Sequence, residues 1–451
     1  MKSSNDLGKE PIGPLLVKMA VPAAIGILVM SIYFVVDTIF VGRWVGTLGI
    51  AAITVVMPII FLIGSFGMSI GVGGASIISR ALGAGNESKA SLTFGNMAFL
   101  TIALAVFLIL AGWLLGDQVL LLFGGKGDIL EPAREYFQII LPAVPCLAWA
   151  MMSNNVMRSE GAAKMAMVSM LVPALANLIL DPILIIGFDM GLAGAAWATT
   201  ISYFLSAGFT FWYFLSGRSE LRLFWKSLLL KWEIVREIFA IGGVTLARQG
   251  TISILAIVLN HNLFLYGGEI AVAIFGIISR IMMFANFPVL GITQGFLPIA
   301  GYNYGAAQWQ RVRDIIRLSI RSGTLIALGL FTLILTLAEP MTALFTTDPE
   351  LLRRTPGALI LVFLAIPLIT VQLIGAAYFQ AIGKALPALL LTLSKQGIFL
   401  IPLILIFPLF WGLQGIWYAF PVADVLAAST TYGFLKYELR KNLEPQLVAS
   451  Y

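Results

Sequence analysis

A dozen times along its 451 residues this chain runs for about 20 residues with almost no charge, and each run closes on a short segment where Gly, Pro, Lys and Arg collect. A helix satisfies every backbone N–H and C=O within its own segment, so runs of this kind read as membrane-spanning α-helices. The expected spans are 16–41, 50–79, 94–116, 135–157, 165–187 and 192–215, then 238–265, 270–300, 315–338, 356–379, 385–409 and 413–435. Composition agrees: 59% of residues are hydrophobic and 11% charged, where soluble domains carry about 25% charged residues. The run after Lys18 is long and leads straight into further spans with no small-residue cleavage site, so a cleavable signal is not expected. The single cysteine, Cys146, excludes an intramolecular disulfide or a Cys-based metal site and reads as a packing residue.

The net charge of +6 is explained by topology rather than by nucleic-acid binding. With the N-terminus in the cytoplasm, the inner loops hold Arg80, Lys89, Arg158, Lys164, Arg218, Arg222, Lys226, Lys231, Arg236, Arg311, Arg313, Lys384, Arg440 and Lys441. The outer loops keep Arg43, Lys126, Arg134, Arg353 and Arg354. Both termini are therefore expected inside, with an even number of spans.

The longest connection, from Gly217 to Glu237, lies mid-chain and divides it into two halves, 1–225 and 226–451. Sliding one on the other places Gly71–Gly85 on Gly291–Gly305, Arg158-Ser159-Glu160-Gly161 on Gln380-Ala381-Ile382-Gly383, and Gly191–Gly194 on Gly412–Gly415. The fold class that follows is an all-α integral membrane protein with twelve transmembrane helices in two pseudo-symmetric six-helix lobes. Six spans per half make the repeats parallel in the membrane.

Ionisable side chains inside spans cost several kcal/mol unless a cavity or partner receives them, so they carry the functional information. Asp37 lies six residues before Arg43 and Asp181 six before Gly187, which places both about 9 Å deep from the same end of their helices. Asn177 shares the face of Asp181 one turn earlier, and Thr199 enters from the next span at a similar level. Pro182 removes a backbone donor and frees a carbonyl one turn back. Two carboxylates with amide, hydroxyl and carbonyl oxygens form a hard-ligand set suited to Na⁺, and two nearby carboxylates also favour a shared proton. The second half offers Arg248, Arg280, Lys395 and Asp424 near the midplane, where Lys395 and Asp424 are placed to pair. His261, the only histidine, falls near the position matching Asp37; it either carries a proton or is hydrogen-bonded between helices.

Val36-Asp37-Thr38-Ile39-Phe40-Val41-Gly42, Asn177-Leu178-Ile179-Leu180-Asp181-Pro182 and Gly301-Tyr302-Asn303-Tyr304-Gly305 resemble segments of the multidrug and toxic compound extrusion (MATE) family, in its DinF/MepA-like branch. The resemblance spans nearly the whole chain. It implies secondary active export of organic, cationic or amphipathic compounds by alternating access, in antiport with H⁺ or Na⁺. The family's first-lobe cation site carries over onto Asp37, Asn177, Asp181 and Thr199, which would hold Na⁺ if sodium is the coupling ion, and its helix-bending proline onto Pro22. Relatives of the NorM branch place carboxylates in the second lobe where this chain has Asn260, His261 and Gln372, so a secondary proton or substrate site there departs from that pattern. The expected partners are small organic substrates, the coupling cation and the bilayer, with no cofactor, no nucleic acid and a monomeric state. The expected location is a prokaryotic inner membrane. The alternative within the same architecture is a flippase of a lipid-linked precursor.

An enzyme is not expected, since the chain contains no paired His, no His-x-x-Glu-His and no P-loop. The missing nucleotide site also excludes a self-contained ATP-driven pump, and no repeated filter-like segment suggests a channel.

Overall fold

The computed structural model describes residues 3–449, and among these there is no strand. Helices end where the backbone turns left-handed at glycine, as at Gly46 (φ +90°), Gly85 (φ +71°) and Gly161 (φ +82°). The spanning helices are α1 (Ile12–Trp44), α2 (Thr47–Gly83), α3 (Glu87–Leu122), α4 (Gly127–Ser159), α5 (Ala163–Gly187) and α6 (Gly191–Leu215). Trp232–Gly305 is a run of 74 residues broken at Gly268, whose φ of +64° and ψ of −161° suit glycine alone, so it comprises α7 (232–267) and α8 (269–305). There follow α9 (Trp309–Ala343), α10 (Pro349–Ala381), α11 (Ala385–Trp411) and α12 (Leu413–Glu438). At 25 and 26 residues, α6 and α12 are diluted by Gly, Ala, Ser and Thr yet exceed the length of about 20 that a bilayer requires. The twelve expected spans are thus present, each longer at one end or both.

The described residues pack as two compact units. One comprises Ile25–Thr245 with the described residues up to Asp6; the other comprises Leu7–Ala24 with the described residues from Leu246 on. Unit membership therefore changes inside α1, just after Pro22, and again inside α7. Small residues explain both assignments. In the first unit a Cβ on Gly73 of α2 would lie 2.2 Å from the Ile238 carbonyl oxygen, and one on Gly242 would lie 2.4 Å from that of Ser69. In the second, Cβ atoms on Gly291 and Gly295 of α8 would fall within 3.0 Å of α1 backbone at Ala20 and Ala24. Such glycine-lined seams let helix backbones touch where no hydrophobic effect draws them together.

Asn303, at the centre of the Gly301–Gly305 segment, fastens the segment just before α1 within the second unit. Fully buried, it donates to the Leu7 carbonyl at 2.9 Å and accepts from Arg311 Nε at 2.8 Å. Arg311 Nη2 in turn donates to the carbonyls of Leu7 and Glu10 at 3.1 and 2.8 Å.

The connection between the halves is stapled to the first unit from two sides. Buried Asn96 donates to the carbonyls of Ser227 and Leu229, both at 3.1 Å, and accepts from the Lys231 N–H at 2.8 Å. Glu160, at the end of α4 and fully buried, takes three donors on Oε1: Ser219 Oγ at 2.7 Å and the N–H groups of Glu220 and Leu221 at 2.8 and 3.1 Å. Tyr213 OH donates to Oε2 at 3.3 Å. Glu220 is engaged in its own right by the backbone and hydroxyl of Ser4.

Burial pushes the Glu160 carboxyl up to about 7, although its donors favour the carboxylate. A folded-state value above the unfolded 4.5 means that the fastened state binds more protons, so the staple is strongest below about pH 4.5 and weakens as pH rises through about 7. Amide hydrogen exchange across residues 216–224 is expected to be slower at pH 6 than at pH 8 after correction for intrinsic rates. Glu160→Gln, which keeps the acceptor at Oε1, should flatten that difference; an unchanged pH dependence in this variant would assign the effect to another group.

Candidate functional site

The first unit brings the four sequence-selected residues together. Asp37 on α1, Asn177 and Asp181 on α5 and Thr199 on α6 are all buried, none more than 5% exposed. The carboxyl groups of Asp37 and Asp181 are hydrogen-bonded to each other. With its amide nitrogen turned to the carboxylate, Asn177 donates to Asp181 Oδ2 at 2.7 Å, and its oxygen accepts from Thr199 N and Oγ1, both at 3.3 Å.

Local backbone places these groups. After Asp181 the last turn of α5, Pro182–Gly187, widens to a π-helix, with the Phe188 N–H donating to the Ile183 carbonyl at 2.9 Å. Pro182 supplies the cause, because it cannot donate to the carbonyl one turn earlier. Single π turns of this kind concentrate at functional sites. A Cβ on Gly194 would lie 2.9 Å from the Leu184 carbonyl, so glycine allows α6 to close on that turn and present Thr199.

Three tyrosines enclose the carboxyl pair and were absent from the sequence-based set: Tyr33, Tyr136 and Tyr203, each at most 8% exposed. A hydrogen bond joins Tyr136 to Thr199. Tyr33 precedes Asp37 by one helical turn, and Tyr203 follows Thr199 by one turn, a spacing that could have identified both. Two carboxylates only accept, so a hydrogen bond between them requires a proton on one. Asp37 Oδ1 and Asp181 Oδ1 are buried, and no N–H or hydroxyl outside the carboxyl pair donates to them. Such orphaned oxygens are costly in a low-dielectric interior unless a cation or proton completes them. With the Thr199 hydroxyl close by and the Asn177 oxygen available when its amide turns, they form a donor set that suits Na⁺ as well as H⁺.

The other expected residues are dispersed. Pro22 lies in the interior of α1, two residues before the change of unit. Asn260 and His261 are exposed on α7. Gln372 is buried on α10 and spent on the Leu391 carbonyl of α11 at 2.8 Å, so these three do not form one site. Lys395 and Asp424 form an ion pair at 2.6 Å, while Arg280 is exposed on α8.

This helical framework, with its buried carboxyl pair beside a π turn, defines a membrane carrier rather than an enzyme, and the comparisons with known proteins agree. The MatE family model matches residues 22–183 and 248–406, and the chain belongs to that family of transporters. Multidrug export protein MepA of Staphylococcus aureus (strain MSSA476) is 29% identical over 420 residues, covering 93% of this chain and 92% of its own. The corresponding protein of Staphylococcus saprophyticus is 27% identical over 410 residues, covering 91% of this chain and 90% of its own. A crystal structure of MATE in the bent conformation superposes with a TM-score of 0.93 at 25% identity and covers 99% of both chains. Twelve helices in two lobes are therefore this chain's architecture, and it is a multi-pass membrane protein.

Proposed function

We propose that this protein exports a range of organic compounds from the cell in exchange for an inward-moving cation, H⁺ or Na⁺, taken up by Asp37 and Asp181 with Asn177 and Thr199. The carboxyl pair carries the reading: two acids buried against each other, each with an orphaned oxygen, bind one positive charge far better than none. Similarity over nine-tenths of the chain to multidrug export proteins supports the substrate breadth. The lysine and arginine distribution supports an N-terminus and inter-half connection on the cytoplasmic face of a prokaryotic inner membrane.

Uptake of the cation changes the charge of the pair in a low-dielectric setting and so shifts the balance between conformations that receive substrate from inside and release it outside. Pro22 in α1, where unit membership changes about 22 Å along the helix from Asp37, is a deformable point through which that shift acts. No partner subunit is needed, because the whole site lies within one unit of one chain.

The test is reconstitution of the purified protein in liposomes with an organic cation such as ethidium. A pH gradient imposed without sodium should drive accumulation if H⁺ couples, and a sodium gradient at clamped pH should do so if Na⁺ couples. Accumulation under neither gradient would sink the antiport reading.

A further inference from the structure

The second unit holds a charged interior that cation coupling leaves unused. Arg248 on α7 lies about 24 Å along the helix from Trp232 and about 30 Å from the break at Gly268, so neither end is within side-chain reach. On the same helical face follow Thr251, Leu255 and Leu259, and the two leucines pack into the unit's apolar core. Arg248 is therefore set on an inward face, and it is partly buried.

Across from it stands α11. A Cβ on Gly397 would lie 3.2 Å from Thr251 Cγ2, so the two helices touch one turn from Arg248 and two residues from Lys395. Both helices advance in the same direction, so the backbone of Lys395 lies at nearly the level of Arg248 while its side chain turns to Asp424. Around Lys395 the helix widens to a π segment, Ser394–Leu400, on the helix of this half that corresponds to α5 but about two turns earlier than the π turn beside Asp181. The Leu391 carbonyl there collects donors from both Gln372 Nε2, at 2.8 Å, and Ser394 Oγ, at 2.7 Å.

The charges do not balance. Lys395 is neutralised by Asp424, which is 4% exposed. Arg248 has no hydrogen bond or ion pair with any described residue. A guanidinium stays charged at every relevant pH, and at membrane depth it is costly unless an anion or water meets it. Its planar donor fork matches a carboxylate in two-point contact, which a point charge such as an ammonium does not. Lipid headgroups lie too far away in depth to serve.

We propose that Arg248 binds the carboxylate of those exported compounds that carry one, and so sets the preference among zwitterionic and acidic amphiphiles. This rests on the export reading, and the test separates the two. Rhodamine 110 carries a free carboxylate; rhodamine 123 is its methyl ester. Binding of each dye to purified full-length protein is read by fluorescence anisotropy. Arg248→Gln should weaken rhodamine 110 binding about tenfold and shift rhodamine 123 by less than about twofold, with Arg248→Lys in between. Equal weakening for both dyes, no weakening for either, or a native protein that favours the ester overturns the proposal. Efflux of rhodamine 123 from proteoliposomes is scored separately. Its absence with the binding contrast intact would remove the export reading and leave the anion site standing.

Discussion

Vesicles carrying Asp37→Asn are expected to lose gradient-driven efflux by about a hundredfold, the upper range for a free energy that couples two sites, while the protein remains folded and inserted. Asn is nearly isosteric with Asp and can hydrogen-bond to Asp181, so packing around Tyr33, Tyr136 and Tyr203 is preserved. What is lost is the second acid. One carboxyl alone in this cluster no longer offers a site whose charge must be completed by an incoming cation, and Asp181→Asn should fail in the same way. Because the defect is in coupling, dye binding to the purified variants should persist while concentrative transport disappears. His261→Gln, on the exposed face of α7, should have the smaller effect. Full efflux by a well-expressed Asp37→Asn protein with the ion gradient clamped would remove this pair from the mechanism.

The second large effect concerns stability. Asp424→Asn leaves Lys395 without its counter-ion in a partly buried setting, and breaking a buried pair from one side costs about 3–5 kcal/mol. The thermal midpoint in detergent should fall and the folded yield with it. Lys395→Met combined with Asp424→Leu removes both charges and should recover most of that loss, giving a coupling energy of about 2 kcal/mol or more in the double-mutant cycle. Additive losses would show that the 2.6 Å contact contributes little and that the two side chains serve separate purposes.

The spans were legible because a bilayer penalises charge within them so heavily that composition alone marks them. Their ends were not: α2 runs from Thr47 to Gly83 where 50–79 was expected, since helices continue beyond hydrocarbon until a residue such as Gly85 turns the backbone. Depth counting along two helices sufficed to join Asp37 with Asp181, because rise per residue is fixed. The tyrosine shell escaped notice since tyrosines in apolar helices are common; a one-turn spacing marks Tyr33 and Tyr203, and only contact marks Tyr136. His261 shows what register alone leaves undecided. Its register matches Asp37 approximately, but facing is set by packing, and the structure leaves it on an exposed face. Asn303 stood out as part of a family-like motif, and in the structure it holds the segment that leads into α1. The π segment at Lys395 has no proline at the bulge to announce it, unlike that at Asp181.

The seam between α1 and α8 carries a consequence for biosynthesis. Ala20 and Ala24 leave the ribosome early, whereas Gly291 and Gly295, the residues they pack against, follow about 270 residues later. At roughly 5–20 residues per second that interval is tens of seconds, during which most of the other helices are made. The first helix delivered to the membrane thus meets this partner only after six others have been made, and its small-residue face meets lipid in the meantime. A nascent chain ending at the inter-half connection would hold α1 inserted but with its beginning unpaired, so completion of the second half is what finishes the first helix.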